Sequence, residues 1–408
     1  METRRGLERP AHCRLRRYWQ LDPDVVFLNH GSFGACPIPV LETQAALRER
    51  LERQPLQFFA RDLQGLKDPA REALARFVGA DADDLAFVPN ATTGVNTVLR
   101  SLELAPGDEL LTTNHEYNAC RNALDYVASR SRARVVVAHV PFPIPSPSAV
   151  VESVMALVTE RTRLALLDHV TSLTGMVMPI DELVSRLSRE GVDTLVDGAH
   201  APGMLELDIG AIAPAYYTGN CHKWLCSPKG AALLYVRKDL QERTRPLSIS
   251  HGANAVVEDR SRYRMEFDWT GTDDPTACLS VPSALEFMGS LYPGGWTELR
   301  ERNRGLALEA RSLLCEKLKL RPACPDEMIG TLASIPLADG KYDFSTTALA
   351  FDPIEQALRN EYGIEVPVMA CPDGPAPILR IAAQAYNCIE EYEYLADALL
   401  ALRDRGVA

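Results

Sequence analysis

The sequence has no CxxC pair. Its ten cysteines stand singly, at Cys13, Cys36, Cys120, Cys221, Cys226, Cys278, Cys315, Cys324, Cys371 and Cys388. That scatter argues against zinc and iron–sulfur ligand sets, so no metal site is expected, and it fits reduced thiols in the cytoplasm. No stretch approaches the about 18 apolar residues that a membrane span requires. The Arg-rich start, Met1–Arg17, lacks the apolar core of a signal peptide. Positive charge is also in deficit, the formal net charge being -12. This argues against nucleic acid or an anionic membrane as a partner, and an anionic ligand would have to be held by local donors. What remains is ordinary globular material. The 408 residues are 46% hydrophobic and 24% charged, enough for a sizeable core in one large domain or two.

Residues 1–24 read as a basic, poorly ordered lead-in. The run Val25–Leu28 then leads into Asn29-His30-Gly31-Ser32-Phe33-Gly34, a tight loop rich in glycine and followed by Pro37 and Pro39. Helices are expected from Val40 to about Glu52 and from Pro69 to Val78. From there strands and helices alternate. Strands are expected at 84–88, 109–113, 134–140, 163–170, 194–197, 215–218 and 231–236, and helices at 92–102, 118–129, 147–158 and 180–190. Such alternation with short loops predicts an α/β domain with a largely parallel sheet over residues 25–255. The pattern changes near residue 255. Residues 256–408 read as a smaller α+β domain, with helices at 281–290, 297–318, 353–362 and 390–403 and strands at 331–336, 364–368 and 378–382. No internal repeat is visible, and the one biased tract is Pro141–Pro147.

The chemistry concentrates at two strand ends. Asp197 closes Thr194-Leu195-Val196 and begins Asp197-Gly198-Ala199-His200. Lys223 follows Ala215-Tyr216-Tyr217 within Asn220-Cys221-His222-Lys223-Trp224. Neighbouring parallel strands would set this acid and this amine on the carboxyl edge of the sheet, where α/β folds bind ligands. A pyridoxal phosphate (PLP) enzyme needs that pair: a lysine for the Schiff base and an acid to keep the pyridine nitrogen protonated. Asn90-Ala91-Thr92-Thr93-Gly94 lies at a strand-to-helix junction, where amides and hydroxyls can converge on a phosphate. Tyr117 or His115, after the strand ending at Thr113, can stack on the ring. His200 is spaced to reach the cofactor's phenolic oxygen or ring, and His222 and Asn220 to donate to phosphate. A histidine beside the lysine also favours its neutral, nucleophilic form. Arg380 lies in the apolar strand Ile378–Ile381. Buried there it needs a partner, either a substrate carboxylate or an internal acid.

Taken together these segments resemble the class V aminotransferase group of PLP enzymes, of fold type I, and within it isopenicillin N epimerase-like proteins. The likeness extends to Phe27–Gly34, to Trp269-Thr270-Gly271-Thr272-Asp273-Asp274-Pro275, to Gly363–Val368 and to Leu379–Asn387, so it covers the chain from about residue 25 onward. It implies a PLP-dependent transferase fold and a homodimer with Lys223 bound to the cofactor and Asp197 at the pyridine nitrogen. His200 would sit near the phenolic oxygen, with Thr92, Thr93, Asn220 and His222 around the phosphate and Tyr117 on the ring. The partner subunit would lend Gly271 and Thr272. Asn29, His30 and Arg380 would face an amino-acid substrate, Arg380 gripping its carboxylate.

Relatives of this kind share removal of the α-proton and differ afterwards. Epimerisation is the expected outcome here, with C–S lysis or cysteine desulfuration as the alternative. Desulfuration needs a nucleophilic cysteine on a loop, and Cys371-Pro372-Asp373-Gly374 lies nine residues before Arg380, although the usual context around such a cysteine is missing. A non-catalytic PLP-binding regulator is a further reading. It would call for a DNA-binding module, and residues 1–24 hold no basic segment long enough.

Overall fold

The computed structural model describes residues 3, 4, 6–258, 260–337, 352–369 and 377–407. Its centre is a seven-stranded sheet of β1 (Leu85–Val88), β2 (Glu109–Thr113), β3 (Arg134–Ala138), β4 (Thr162–Asp168), β5 (Asp193–Asp197), β6 (Tyr216–Asn220) and β7 (Ala232–Val236). Their spatial order is β1-β7-β6-β5-β4-β2-β3. Every pair is parallel except the two made by β7. Because β7 reverses direction against both neighbours, β1 still runs the same way as the rest. The carboxyl ends of six strands therefore open on one edge.

Strand alternation explains the layers. Leu110, Leu166, Leu195 and Leu234 point to one face, where they meet Val95, Val98, Cys120 and Leu124 of the helices α1 (Ala91–Ser101) and α2 (Asn118–Ser131). Their neighbours Leu111, Leu167, Val196 and Leu233 point to the other face, against Val150, Leu183 and Leu187 of α3 (Pro147–Met155) and α4 (Ile180–Arg189). With both faces covered, these strands carry near-continuous apolar runs, as parallel sheets require.

Beyond this sheet, β8 (Leu332–Pro336), β9 (Val368–Met369) and β10 (Ile378–Ala382) form a three-stranded antiparallel sheet. It packs with the long helix α5 (Gly295–Leu318) and the final helix α6 (Ile389–Asp404). No helix among the described residues is long and apolar enough to cross a membrane.

Several expectations are corrected. Residues 6–24 are not loose: a 3-10 turn spans Arg14–Tyr18, Trp19 is buried, and the buried Arg16 guanidinium donates to the carbonyls of Asp22 and Val25. The helix expected to start at Pro69 begins at Leu63, with Pro69 inside it. The strand expected over 364–368 splits into Ile364–Glu365 and Val368–Met369, because Pro367 has no N–H to give a ladder. Ile364–Glu365 pairs in parallel with Val26–Phe27, joining the segment after the lead-in to the C-terminal part. We propose a large domain over residues 25–255 and a smaller one over 256–408.

Candidate active site

Asp168 and Asp197 are paired residues at the ends of β4 and β5, and Asp197 pairs with Thr218 on β6. Lys223 follows three residues beyond the end of β6. The acid and the amine thus share the carboxyl edge, together with Asn90–Gly94 after β1 and Asn114–Tyr117 after β2.

Asp197 is almost fully buried. Its Oδ1 accepts from Ala199 N at 2.9 Å and its Oδ2 from Cys120 Sγ at 3.2 Å. Burial raises its pKa, and the Ala199 and Cys120 donors act in the opposite sense. Beside it Glu116, Cys120 and Asp197 bring their ligand atoms within 4.8 Å of one another. Burial and Asp197 hold Glu116 well above the usual carboxylate range. Asp168 is raised by burial, then by Glu116 and Asp197, and its Oδ2 has no hydrogen-bond partner among the described residues. Like charges packed this closely cannot all ionise, so the cluster keeps protons at neutral pH. Neither Glu116 nor Asp168 stood out in the sequence. A buried acid and a surface acid look alike there, and only the strand register brings these together.

Lys223 is half-buried, with Nζ 3.0 Å from His200 Nε2. Burial and then the Arg380 charge lower its pKa to about 7, against opposing pulls from Asp197, Asp168 and Cys120. His200 is buried, and burial followed by the Lys223 charge keeps it neutral. Gly203, at φ +90°, passes so close to the Trp224–Leu225 backbone that a Cβ would lie 2.5 Å from the Trp224 carbonyl carbon. Only glycine fits there.

At the phosphate-type segment, Asn90 caps α1. Its Oδ1 accepts from Thr93 N at 2.8 Å and from the Thr93 hydroxyl at 3.0 Å. Thr93 therefore spends both donors internally, and it also lines a separate cavity of about 230 Å³ with Thr97, Thr270 and Asp273. Thr92 is half-buried at the same helix end. Asn220 Oδ1 accepts from Ala91 N at 2.9 Å, tying β6 to the start of α1. His222 Nδ1 lies 3.3 Å from the Ala231 carbonyl, and burial lowers this imidazole to about 4. Gly271, at φ +129°, and the exposed Thr272 lie on a loop between two short helices, Arg262–Asp268 and Thr276–Leu279.

Two ring candidates were open. His115 is fully buried, with Nδ1 3.0 Å from Thr174 Oγ1 and Nε2 3.1 Å from the Val140 carbonyl. Tyr117 is exposed and lies within electrostatic reach of Asp197 and Arg380. With both His115 nitrogens engaged, Tyr117 is the exposed candidate of the two.

Arg380 is buried on β10. It donates to the Ser172 carbonyl and, at 3.0 Å, to Ser32 Oγ, while its Nε has no partner among the described residues. Among the described residues no carboxylate lies within ion-pair distance of it. Ser32 Oγ in turn donates to Asn29 Oδ1 at 2.6 Å, linking Asn29 to the same cation. Ser32 and Ser172 had no individual signal in the sequence. Cys371 lies outside the described residues.

His30 is a correction. Expected to face substrate, it is completely buried behind the lysine turn, with Nδ1 2.7 Å from Tyr386 Oη and Nε2 2.9 Å from the Lys223 carbonyl. Both ring nitrogens are occupied, so its place is structural.

The family model for class V aminotransferases matches residues 57–325. This chain belongs to the class V aminotransferase family. Among curated proteins, this class V member is 37% identical over 403 residues to isopenicillin N epimerase of Amycolatopsis lactamdurans, covering 95% of this chain and 98% of that one. It is 32% identical over 401 residues to a probable chloroplastic L-cysteine desulfhydrase of Arabidopsis thaliana, covering 93% and 83%. Among solved structures, the Escherichia coli cysteine desulfurase CsdA superposes with a TM-score of 0.77 at 22% identity, covering 96% and 98% of the two chains. A mutant of C-DES with glycine covalently linked to its PLP cofactor superposes with a TM-score of 0.78 at 23% identity, covering 94% and 98%. The class V member has the fold type I architecture of these enzymes.

Proposed function

We propose that this class V enzyme acts at the α-carbon of an amino acid and epimerises it, with Lys223 carrying the α-proton. Its cofactor is pyridoxal 5'-phosphate. The residues present fit that group: a neutral-leaning amine, a buried acid beside it, and, on the same sheet edge, the start of α1 fixed in place by Asn90 and Asn220. When bound, the cofactor supplies an electron sink that weakens the substrate's Cα–H bond.

The chain supplies the rest. Lys223 would hold the cofactor, and Asp197 would keep the pyridine nitrogen protonated. Thr92, Thr93, Asn220 and His222 would lie around the phosphate, Tyr117 over the ring, and His200 near the phenolic oxygen. Gly271 and Thr272 come from the partner subunit of a homodimer. Arg380 takes the substrate carboxylate through its planar fork, with Asn29 beside it through Ser32. As a free amine, Lys223 is neutral enough to take the α-proton. Return of a proton to the opposite face completes epimerisation.

The observation that carries this reading is the meeting of Arg380 and Lys223. A buried guanidinium with no carboxylate within ion-pair distance among the described residues lies close enough to lower the proton affinity of a half-buried amine. That is the pairing an amino acid's carboxylate and α-carbon require. Epimerisation is favoured by the 37% identity to an isopenicillin N epimerase over nearly its whole length. C–S lysis or desulfuration is the second reading, supported by the desulfhydrase relative. Incubation with a panel of amino acids in deuterated water separates them. Epimerisation yields α-deuterium with the D-isomer, whereas lysis yields pyruvate and sulfide from cysteine. Pyruvate without α-deuterated D-isomer refutes the epimerase reading.

A further inference from the structure

Lys223 is held at both ends by groups that share Trp224. At the backbone, His30 Nε2 donates to the Lys223 carbonyl, and the His30 ring packs 4.8 Å from the Trp224 ring, centre to centre. At the side chain, Trp224 Nε1 lies 3.4 Å from His200 Nδ1, and His200 Nε2 lies 3.0 Å from Lys223 Nζ. An indole N–H is a donor only. His200 Nδ1 must therefore be unprotonated, and the neutral imidazole carries its hydrogen on Nε2. That hydrogen points at Lys223 Nζ, which can accept it only through the lone pair of a neutral amine. A protonated lysine would set donor against donor.

We propose that Trp224 is a positioning residue that locks His200 in its Nε2–H tautomer, so that the free amine of Lys223 is held as an acceptor and remains a base. This rests on the reading of Lys223 as the proton carrier at Cα. The groups facing Lys223 are Arg380 from β10, Asp197 and Asp168 from the ends of β5 and β4, and Cys120 from α2. Those facing His200 are Lys223, Arg380, His30 and His222. Burial and Arg380 drive the amine towards neutrality, and the two acids oppose them. The outcome is an amine balanced near pH 7, where one directed hydrogen bond changes the fraction present as base. The same tautomer presents an N–H to any acceptor that replaces the amine.

Nitrogen-15 spectra of histidine-labelled holoenzyme read the tautomer directly, with the His200 signals assigned by their loss in His200→Asn. The expected result is an unprotonated Nδ1 and a protonated Nε2 throughout, from about pH 6 to 9, because burial keeps the ring neutral. A protonated Nδ1, or a ring that titrates in that range, overturns the proposal without any variant. Trp224→Phe keeps an aromatic ring against His30 and removes the donor. The acid limb of kcat against pH, which reports the enzyme–substrate complex, should then move up by about 0.5–1 pH unit, the worth of one hydrogen bond. Mixed His200 tautomers should accompany it. A lower kcat with an unmoved acid limb makes Trp224 simple packing and refutes the lock. Both candidate reactions begin with the α-proton, so pyruvate in place of the D-isomer would refute the epimerase reading alone.

Discussion

Arg380 links the site to measurable energies. Burial lowers its pKa from the ordinary guanidinium range to about 10, so it stays charged at pH 7 but at a cost to the fold. That cost is roughly 3 kcal/mol. A base depressed in the folded state is penalised wherever it is charged in both states. The penalty is therefore full below about pH 10 and fades as pH rises from there towards the ordinary guanidinium value. Two hydrogen bonds, to the Ser172 carbonyl and Ser32 Oγ, return about 2 kcal/mol. The fold alone gains little from this residue. Arg380→Met should thus leave the melting temperature of the holoenzyme within about 3 °C of wild type. Arg380→Lys keeps a cation but loses the fork, and should weaken amino-acid binding by about 1.5–3 kcal/mol, or roughly 10- to 150-fold. Titration of the cofactor's visible absorbance with substrate measures the second effect and differential scanning fluorimetry the first. An unchanged affinity, or a melting temperature lowered by more than about 8 °C, would return Arg380 to the scaffold and undo the assignment.

Lys223→Ala should leave no cofactor that borohydride can fix to the chain, as read by intact mass; an adduct that persists moves the attachment elsewhere. Asp197→Ala should retain cofactor yet slow exchange of the substrate α-hydrogen by about 10²–10³-fold, the usual loss when a charge-stabilising group is removed; exchange at the wild-type rate contradicts its role. Cys371→Ala should keep activity, and loss of sulfur release from cysteine with cofactor still bound would instead favour desulfuration. His30 is held near 3 by burial against 6.5 in the unfolded chain. As pH falls through 6.5 the unfolded state takes up the proton first, so stability is lost, roughly 2 kcal/mol of it between pH 6.5 and 5. His30→Gln should flatten that slope in denaturant melts at the two pH values, and an unaltered slope places the acid sensitivity on other groups.

Much of the fold was legible because local signals agreed. Glu109–Thr113 and Ile378–Ala382 were read to the residue, both being apolar runs bounded by turn-forming or proline-containing segments. Asp197 and Lys223 were legible as strand-end residues, and the sheet pairs their strands directly. The errors came from rules that tertiary context overrode. Pro69 was read as a helix start, yet the chain carries it inside a longer helix. His30 sat in a loop motif and was read as substrate-facing, although a residue 356 positions away claims its ring. Glu116, Asp168, Ser32, Ser172 and the role of Trp224 were hidden for one reason. Each acts through a partner far along the chain, and nothing local distinguishes it from an ordinary surface or core residue.

The pairing of early and late segments behind Lys223 also bears on synthesis. Val26 and Leu28 donate to the carbonyls of Gly363 and Glu365, Leu28 accepts from Ala382, and His30 bridges the Lys223 carbonyl to Tyr386. A ribosome releases residue 223 long before these partners exist, and contacts of such separation form late. Until then Lys223 is a solvated amine with the basicity of any other lysine. The nascent chain therefore lacks the contacts that hold this turn until Tyr386 has been made and can pack against His30.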